Sequence, residues 1–290
     1  MFQGLYTALI TPFKDGKVDE KAFQSLVEWQ IKEGVHGLVP CGSTGESPTL
    51  SYEEHKRVVS LCIEVAKGRA KVMAGSGANS TEEAIMLTRH VKQAGADAAL
   101  VVAPYYNKPT QEGLFQHYKA IAQAVDIPVF IYNIPGRSVI DVRDETLARL
   151  SEIRNIRGVK DATGDLARVS TLRAKAGKEF LQFSGEDMTA IAFNAQGGIG
   201  VISVTSNIAP KLCAEVQNRS LAGDYAGALA VHDKLVALHQ AMFCETNPAP
   251  VKFAASLMGK CQPDLRLPLV PPTEASQAHI RRTLSQAGLI

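Results

Sequence analysis

Short runs of apolar, often β-branched residues alternate along this chain with longer stretches in which apolar positions recur at helical spacing. Over most of the first two hundred residues the runs return at intervals of roughly 25 to 35 residues, the pattern of repeated strand–helix units that build a parallel sheet. The runs predict strands over Tyr6 to Ile10, Gly37 to Val39, Lys71 to Ala74, Ala98 to Val102, Pro128 to Tyr132, Ile156 to Lys160, Phe180 to Ser184 and Gly200 to Ser203. Eight such strands predict closure, and the fold class expected is α/β, a (β/α)8 TIM barrel.

The stretches between them carry helix signals. Asp19 is placed to cap a segment with Phe23, Leu26, Val27 and Ile31 on one face, and Gly34 ends it. Ser51-Tyr52-Glu53-Glu54 reads as a capping box ahead of Val58, Val59 and Cys62. Ser80-Thr81-Glu82-Glu83 repeats that logic before Ile85, Leu87 and Val91, and further starts fall at Thr110 and Asp141, each with an acidic residue in the first turn. After Ser203 the alternation stops, and helices are predicted over Leu221 to Gln240, Pro250 to Leu257 and Thr273 to Gln286. That is more chain than one closing helix needs. The expected organisation is a barrel over residues 1–220 and a helical C-terminal extension over residues 221–290, with linkers at Pro263, Pro268, Pro271 and Pro272.

Composition narrows the function. The 290 residues suit a barrel with additions, and 46% hydrophobic with 21% charged residues is an ordinary globular balance. A net charge of +2 without clustered Lys and Arg argues against a nucleic-acid surface. No apolar run approaches the roughly 20 residues of a membrane span. The start, Met1 to Leu5, lacks the charged and apolar regions of a signal peptide, so a cytoplasmic location is expected. Cys41, Cys62, Cys213, Cys244 and Cys261 are widely spaced with no Cys-x-x-Cys pair, and read as reduced, mostly buried thiols. Cys41 lies beside a candidate site loop, where a core role is favoured over a catalytic thiol.

In such a barrel the active-site groups project from the C-terminal ends of the strands and the loops that follow. That filter selects Thr11, the turn Cys41 to Ser47, Pro104-Tyr105-Tyr106-Asn107, the stretch Tyr132 to Arg137, Lys160 with Asp161, and Ser184-Gly185-Glu186-Asp187. An amine is a nucleophile only when unprotonated, and in water a lysine has a pKa of about 10.4. Burial at a strand end disfavours the charged form and suits a lysine such as Lys160 to Schiff-base chemistry; a solvated surface lysine is the alternative. Tyr132 would leave the neighbouring strand about 5 Å away, either as a proton shuttle or as a core tyrosine bonded at the rim. The turn Gly42-Ser43-Thr44-Gly45 presents hydroxyls and N–H groups suited to a carboxylate. A plain turn is its alternative, since the Gly-x-x-x-x-Gly-Lys phosphate pattern is absent. Arg137 is a fork-shaped cation for a second carboxylate, or a solvated loop arginine. Glu186 and Asp187 lack companion ligands for a metal and read as a helix N-cap. The glycines of Gly75-Ser76-Gly77 and Gly197-Gly198-Ile199-Gly200 do not follow the dinucleotide fingerprint.

These stretches, together with Thr11-Pro12-Phe13, Gly158 to Gly164 and Asn247-Pro248-Ala249-Pro250-Val251-Lys252, resemble the pyruvate-dependent class I aldolases of the N-acetylneuraminate lyase and dihydrodipicolinate synthase superfamily. The likeness runs over nearly the whole chain. Arg137 after Pro-Gly resembles the synthase branch's binder for an aldehyde substrate's carboxylate. The resemblance implies an imine between Lys160 and pyruvate, condensation with L-aspartate 4-semialdehyde, and no cofactor or metal. It implies Tyr132, Ser43 and Tyr106 as a proton relay, with Tyr106 reaching a neighbouring subunit of a tight dimer that commonly pairs into a tetramer. Thr44 and the Ile202 backbone are implied as pyruvate-carboxylate contacts, with Gly185 also at the substrate. Ser43 stands where the family often has Thr, keeping the hydroxyl but not the methyl that fixes its rotamer.

Ser47, His55, Asn79, Glu83 and Tyr105 match the family's inhibitory site for L-lysine. Pro48 and Tyr52 replace the small residue and the histidine of sensitive members, so feedback inhibition is in doubt. Two other readings stand beside the synthase: a sister aldolase cleaving sialic acid or a keto-deoxy sugar acid, and a non-catalytic barrel that binds a keto acid.

Overall fold

The computed structural model describes residues 2–290. Its strands are β1 (Gly4–Ala8), β2 (Phe13–Lys14), β3 (Lys17–Val18), β4 (Gly37–Val39), β5 (Lys71–Gly75), β6 (Ala98–Val102), β7 (Val129–Asn133), β8 (Ile156–Asp161), β9 (Leu181–Ser184) and β10 (Gly200–Ser203). β2 and β3 form a small antiparallel hairpin, and the other eight close into a parallel barrel in which β1 pairs with both β4 and β10.

Every predicted barrel strand forms, but the first one runs two residues earlier than its apolar pattern. Leu9 and Ile10 are fully buried, yet the Ile10 N–H goes to the Asn207 side chain at 3.0 Å instead of to a neighbouring strand. Leu9 still donates its N–H to the Val39 carbonyl of β4 at 3.0 Å, so burial runs one residue beyond the pairing. The hairpin was not predicted, although its turn residues Asp15 and Gly16, both at positive φ, carry the signal of a tight primed turn.

Asp19, Ser51, Ser80 and Thr110 cap the helices Glu20–Lys32, Tyr52–Ala66, Thr81–Ala94 and Gln111–Ala124 as their sequences predict, Ser51 with a complete capping box. The start expected at Asp141 falls instead at Asp144, because the Asp141 carboxylate is taken by Arg168 and Asn133 at 2.6 and 2.7 Å. The long helix expected from Leu221 is also corrected. Leu221 ends the helix Pro210–Leu221, Gly223 reverses the chain at φ +84°, and Asp224 caps Tyr225–His232, followed by the short Val236–Ala241. Asp187 does not cap the helix after it: its Oδ2 accepts from the N–H groups of Val204 and Thr205 at 2.9 and 3.2 Å, holding the turn that follows β10.

Side chains alternate across each strand, and the barrel sorts them into two apolar layers. Tyr6, Met73, Leu100, Phe130, Phe183 and Ile202 fill the inside, with Tyr6 and Phe183 edge to face at 4.9 Å between centroids. Leu5, Val27, Val58, Ile121 and Val159 belong to the layer between strands and helices. Cys41, Cys62 and Cys213 are buried, Cys261 is half-buried and Cys244 exposed, all as free thiols. Among the described residues no helix is long and apolar enough to cross a membrane.

Candidate active site

In the β7–β8 ladder Tyr132 pairs with Lys160, and on its other side Lys160 pairs with Phe183 of β9. Phe183 and Tyr132 belong to the inner layer, so the period-two rule turns Lys160 into the barrel as well. Its side chain is not solvated: Lys160 is 6% exposed, and its Nζ lies 4.0 Å from the centroid of the Tyr132 ring. Among the described residues no side chain or backbone group forms a hydrogen bond or ion pair with that nitrogen, and an uncommitted amine is what attack on a carbonyl requires.

The residues one step further along both strands face outward. Asn133 donates from Nδ2 to Asp141 Oδ1 at 2.7 Å and accepts the Val142 N–H at 3.0 Å. Arg168 donates to the same Asp141 oxygen, lies 3.0 Å from Asp144 Oδ1, and reaches Asp161 Oδ2 at 3.6 Å. Asp161, selected from the sequence as a mouth residue, therefore belongs to the outer wall. Burial raises its carboxyl above the ordinary value, against the opposing effects of Thr163 and Arg168. This outer network ties the ends of β7 and β8 and so fixes the Lys160–Tyr132 register.

The hydroxyl-bearing turn after β4 is pinned at several points. Thr11 donates from Oγ1 to the Gly45 carbonyl at 2.7 Å, Glu46 N–H donates to the Ser43 carbonyl at 3.2 Å, and Asn247 donates from Nδ2 to Thr44 Oγ1 at 3.0 Å. The turn enters through Cys41 at φ +56°, and Gly75 is needed opposite it, since any Cβ there would collide with the Cys41 carbonyl oxygen. Burial pushes the Cys41 thiol well above its usual pKa, which fits the core role and not a nucleophile.

Arg137 is exposed on the short helical turn Pro135–Ser138 and donates from Nη2 to the Asn247 carbonyl at 3.0 Å. Gly185 donates its N–H to the Asp161 carbonyl at 2.6 Å, where a Cβ would stand 2.6 Å from the Ala162 Cβ. Ile202 is fully buried in β10, two strands from β8.

A cavity of about 640 Å³ opens here, walled by Ser43, Tyr132, Ile134, Arg137 and Asn247. Lys160 is not on its wall, but Tyr132, whose ring it faces, is. The same cavity takes in Ser47, Tyr52, His55, Glu83 and Tyr105. Asn79 stands outside the lining and braces the next loop, donating to the Tyr105 carbonyl at 3.4 Å and accepting from Asn107 at 2.8 Å. His55 is buried with both ring nitrogens unpartnered, and desolvation lowers its pKa to about 4 against a weaker opposing contact with the Gly75 backbone. Tyr52 donates its O–H to Glu83 at 2.9 Å, an interaction that raises the phenol above its ordinary value.

Tyr106 is not part of this assembly within one chain. It is 89% exposed, at φ +70°, and among the described residues no hydrogen bond joins it to Tyr132 or Ser43, nor Ser43 to Tyr132.

The sequence profile of the Dihydrodipicolinate synthetase family matches residues 1–287. The chain belongs to that family. It is 62% identical to the 4-hydroxy-tetrahydrodipicolinate synthase of Rhodospirillum centenum over the full length of both. It superposes at TM-score 0.98, with 49% identity and complete coverage of both chains, on a chloride-inhibited dihydrodipicolinate synthase from Acinetobacter baumannii complexed with pyruvate. A third likeness, at TM-score 0.95 and 36% identity over 100% of this chain and 99% of the other, is to the enzyme from Cyanidioschyzon merolae with lysine bound.

Within this member of the dihydrodipicolinate synthetase family, three interactions that hold the site were not identified from the sequence, although Asn133 and Glu46 lie in stretches the strand-end filter selected. Asn133 and the Asp141–Arg168 pair are outward-facing and polar, with no local pattern to mark them. The third is the ion pair of Glu46 with Lys252, with both side chains fully buried. A signal for it existed: Lys252 is the one charged residue in the mostly apolar helix Ala249–Leu257, amid the buried run Ala249 to Ala255, and a lone buried charge needs a partner.

Proposed function

We propose that this chain is a 4-hydroxy-tetrahydrodipicolinate synthase, condensing pyruvate with L-aspartate 4-semialdehyde. The observation that carries the reading is the buried Lys160 side chain, its amine facing the Tyr132 ring inside the barrel mouth, in a chain whose full-length relatives bear that name.

In this reading the Lys160 amine adds to the pyruvate ketone, and the carbinolamine loses water to give a protonated imine. That imine draws electrons from the adjacent methyl, which releases a proton and becomes the enamine carbon. The carbon attacks the aldehyde of the second substrate. The substrate's own amine then attacks the imine carbon, closes the ring and expels Lys160 as the free amine.

Tyr132 and Ser43 move the protons of carbinolamine formation and breakdown. Thr44 with the Ile202 backbone holds the pyruvate carboxylate, Gly185 borders the substrate, and Arg137 takes the carboxylate of the aldehyde. Tyr106 completes the relay in a neighbouring copy, a role supported by its exposure and its positive φ, a backbone strain that an idle surface tyrosine would not need. The assembly is then a dimer, paired into a tetramer, and the location cytoplasmic. The division into a barrel over residues 1–220 and an extension over residues 221–290 belongs to the same proposal. L-Lysine inhibits weakly here, because the Tyr52 phenol already occupies Glu83.

Borohydride reduction in the presence of pyruvate, followed by peptide mass spectrometry, tests the mechanism. The expected adduct is on Lys160 and is absent from a Lys160→Ala variant; an adduct on any other lysine overturns it. Turnover of each aldehyde separates the synthase from sister aldolases.

A further inference from the structure

We infer that Lys252 and Glu46 are positioning residues: their buried ion pair holds the Ser43-Thr44 turn in the shape that receives the keto acid's carboxylate. The inference rests on the imine-forming reading above. Glu46 and Lys252 are 1% and 0% exposed. Lys252 also donates to the Asp264 carbonyl at 2.9 Å and lies 4.1 Å from the Phe13 ring centroid, while the other Glu46 oxygen accepts the Arg266 N–H at 3.2 Å. Every partner of the Glu46 carboxylate therefore comes from the segment after the barrel.

A buried ion pair is a poor device for stability alone, because desolvation offsets most of the Coulomb gain and apolar residues of the same volume often serve as well. What this pair does is geometric. Glu46 sits at φ +55°, a strained conformation for any residue but glycine, and its N–H closes the turn onto the Ser43 carbonyl. Two residues earlier, Thr44 is held by Asn247, and Asn247 in turn receives Arg137. One stretch of chain, Asn247 to Lys252, thus grips the hydroxyl turn at two points and the guanidinium at a third. Freed from Lys252, the turn keeps the Arg266 N–H on the Glu46 carboxylate but loses the charged partner that holds its far end.

Lys252→Met alone would leave a buried unpaired carboxylate and threatens folding, so the deciding variant is Glu46→Gln with Lys252→Met, which removes both charges. The measurements are the pyruvate dependence of the borohydride-trapped Lys160 adduct, the KM for each substrate, kcat and the melting temperature. The expected result is a half-saturating pyruvate concentration raised about tenfold or more, the scale of one charge-assisted hydrogen bond. Adduct yield at saturation and melting temperature stay close to those of the unsubstituted chain. An unchanged pyruvate dependence overturns the inference, as does a lowered melting temperature with KM unmoved. If the unsubstituted chain forms no adduct at Lys160, the enzymatic reading falls and this inference with it; if that chain forms it and the double variant behaves identically, only this inference falls.

Discussion

Lys160 and Tyr132 are direct partners in the β7–β8 ladder, and the amine of one stands 4.0 Å from the ring centre of the other. In the proposed mechanism the ring supplies the apolar face and the phenol the proton, two roles that substitution can separate. Tyr132→Phe keeps the ring, so the pyruvate adduct at Lys160 should still accumulate at equilibrium. Its kcat should fall about 100- to 10,000-fold, the usual worth of a positioned acid–base group. Steady-state rates beside adduct mass spectrometry check this; an unaltered kcat would remove the phenol from the mechanism.

Among the described residues, the Arg137 guanidinium hydrogen-bonds to the rest of the site only through the Asn247 carbonyl. In Arg137→Ala the KM for aspartate semialdehyde should therefore rise about 10- to 100-fold, matching the loss of a charged hydrogen-bond donor, while the pyruvate adduct forms as before. Equal damage to both substrates would show that the arginine acts on the turn and not on the aldehyde.

Two histidines set an acid limit on stability. Desolvation holds the rings of His55 and His117 near neutral, with pKa values lowered to about 4, whereas an unfolded chain takes up these protons near pH 6.5. Between those values the unfolded state binds more protons, so this stability is fully present above about pH 6.5 and is lost as the pH falls toward 4. Going from pH 7 to pH 5 should cost on the order of 2 kcal/mol per histidine. Denaturant unfolding at the two pH values measures it. His55→Leu, which removes a ring with no hydrogen-bond partner, should stabilise the chain more at pH 5 than at pH 7.

The bond from Tyr52 to Glu83 predicts the response to L-lysine. Millimolar lysine should depress the rate of the unsubstituted chain only slightly, and Tyr52→His, which frees the carboxylate, should increase the inhibition. Strong inhibition of the unsubstituted chain would show that lysine displaces the phenol without difficulty.

Much of this architecture follows from local pattern. Asp19, Ser51, Ser80 and Thr110 mark helix starts because a capping side chain bonds a backbone N–H only three residues away. Asp141 misled because its carboxylate is claimed from Arg168, 27 residues on, a competition no local window contains.

The sequence by itself determined the eight strands and put Tyr132 and Lys160 at the ends of neighbouring ones, and the ladder register then turned both toward the interior. Tertiary structure alone decided that Glu46 meets Lys252, 206 residues away, that Asn247 joins Thr44 to Arg137, and that Tyr106 stands clear of its own chain's cavity. The reason is one of range: caps and strand periods are written within a few residues, whereas a buried charge finds its partner only after the whole barrel has closed around it.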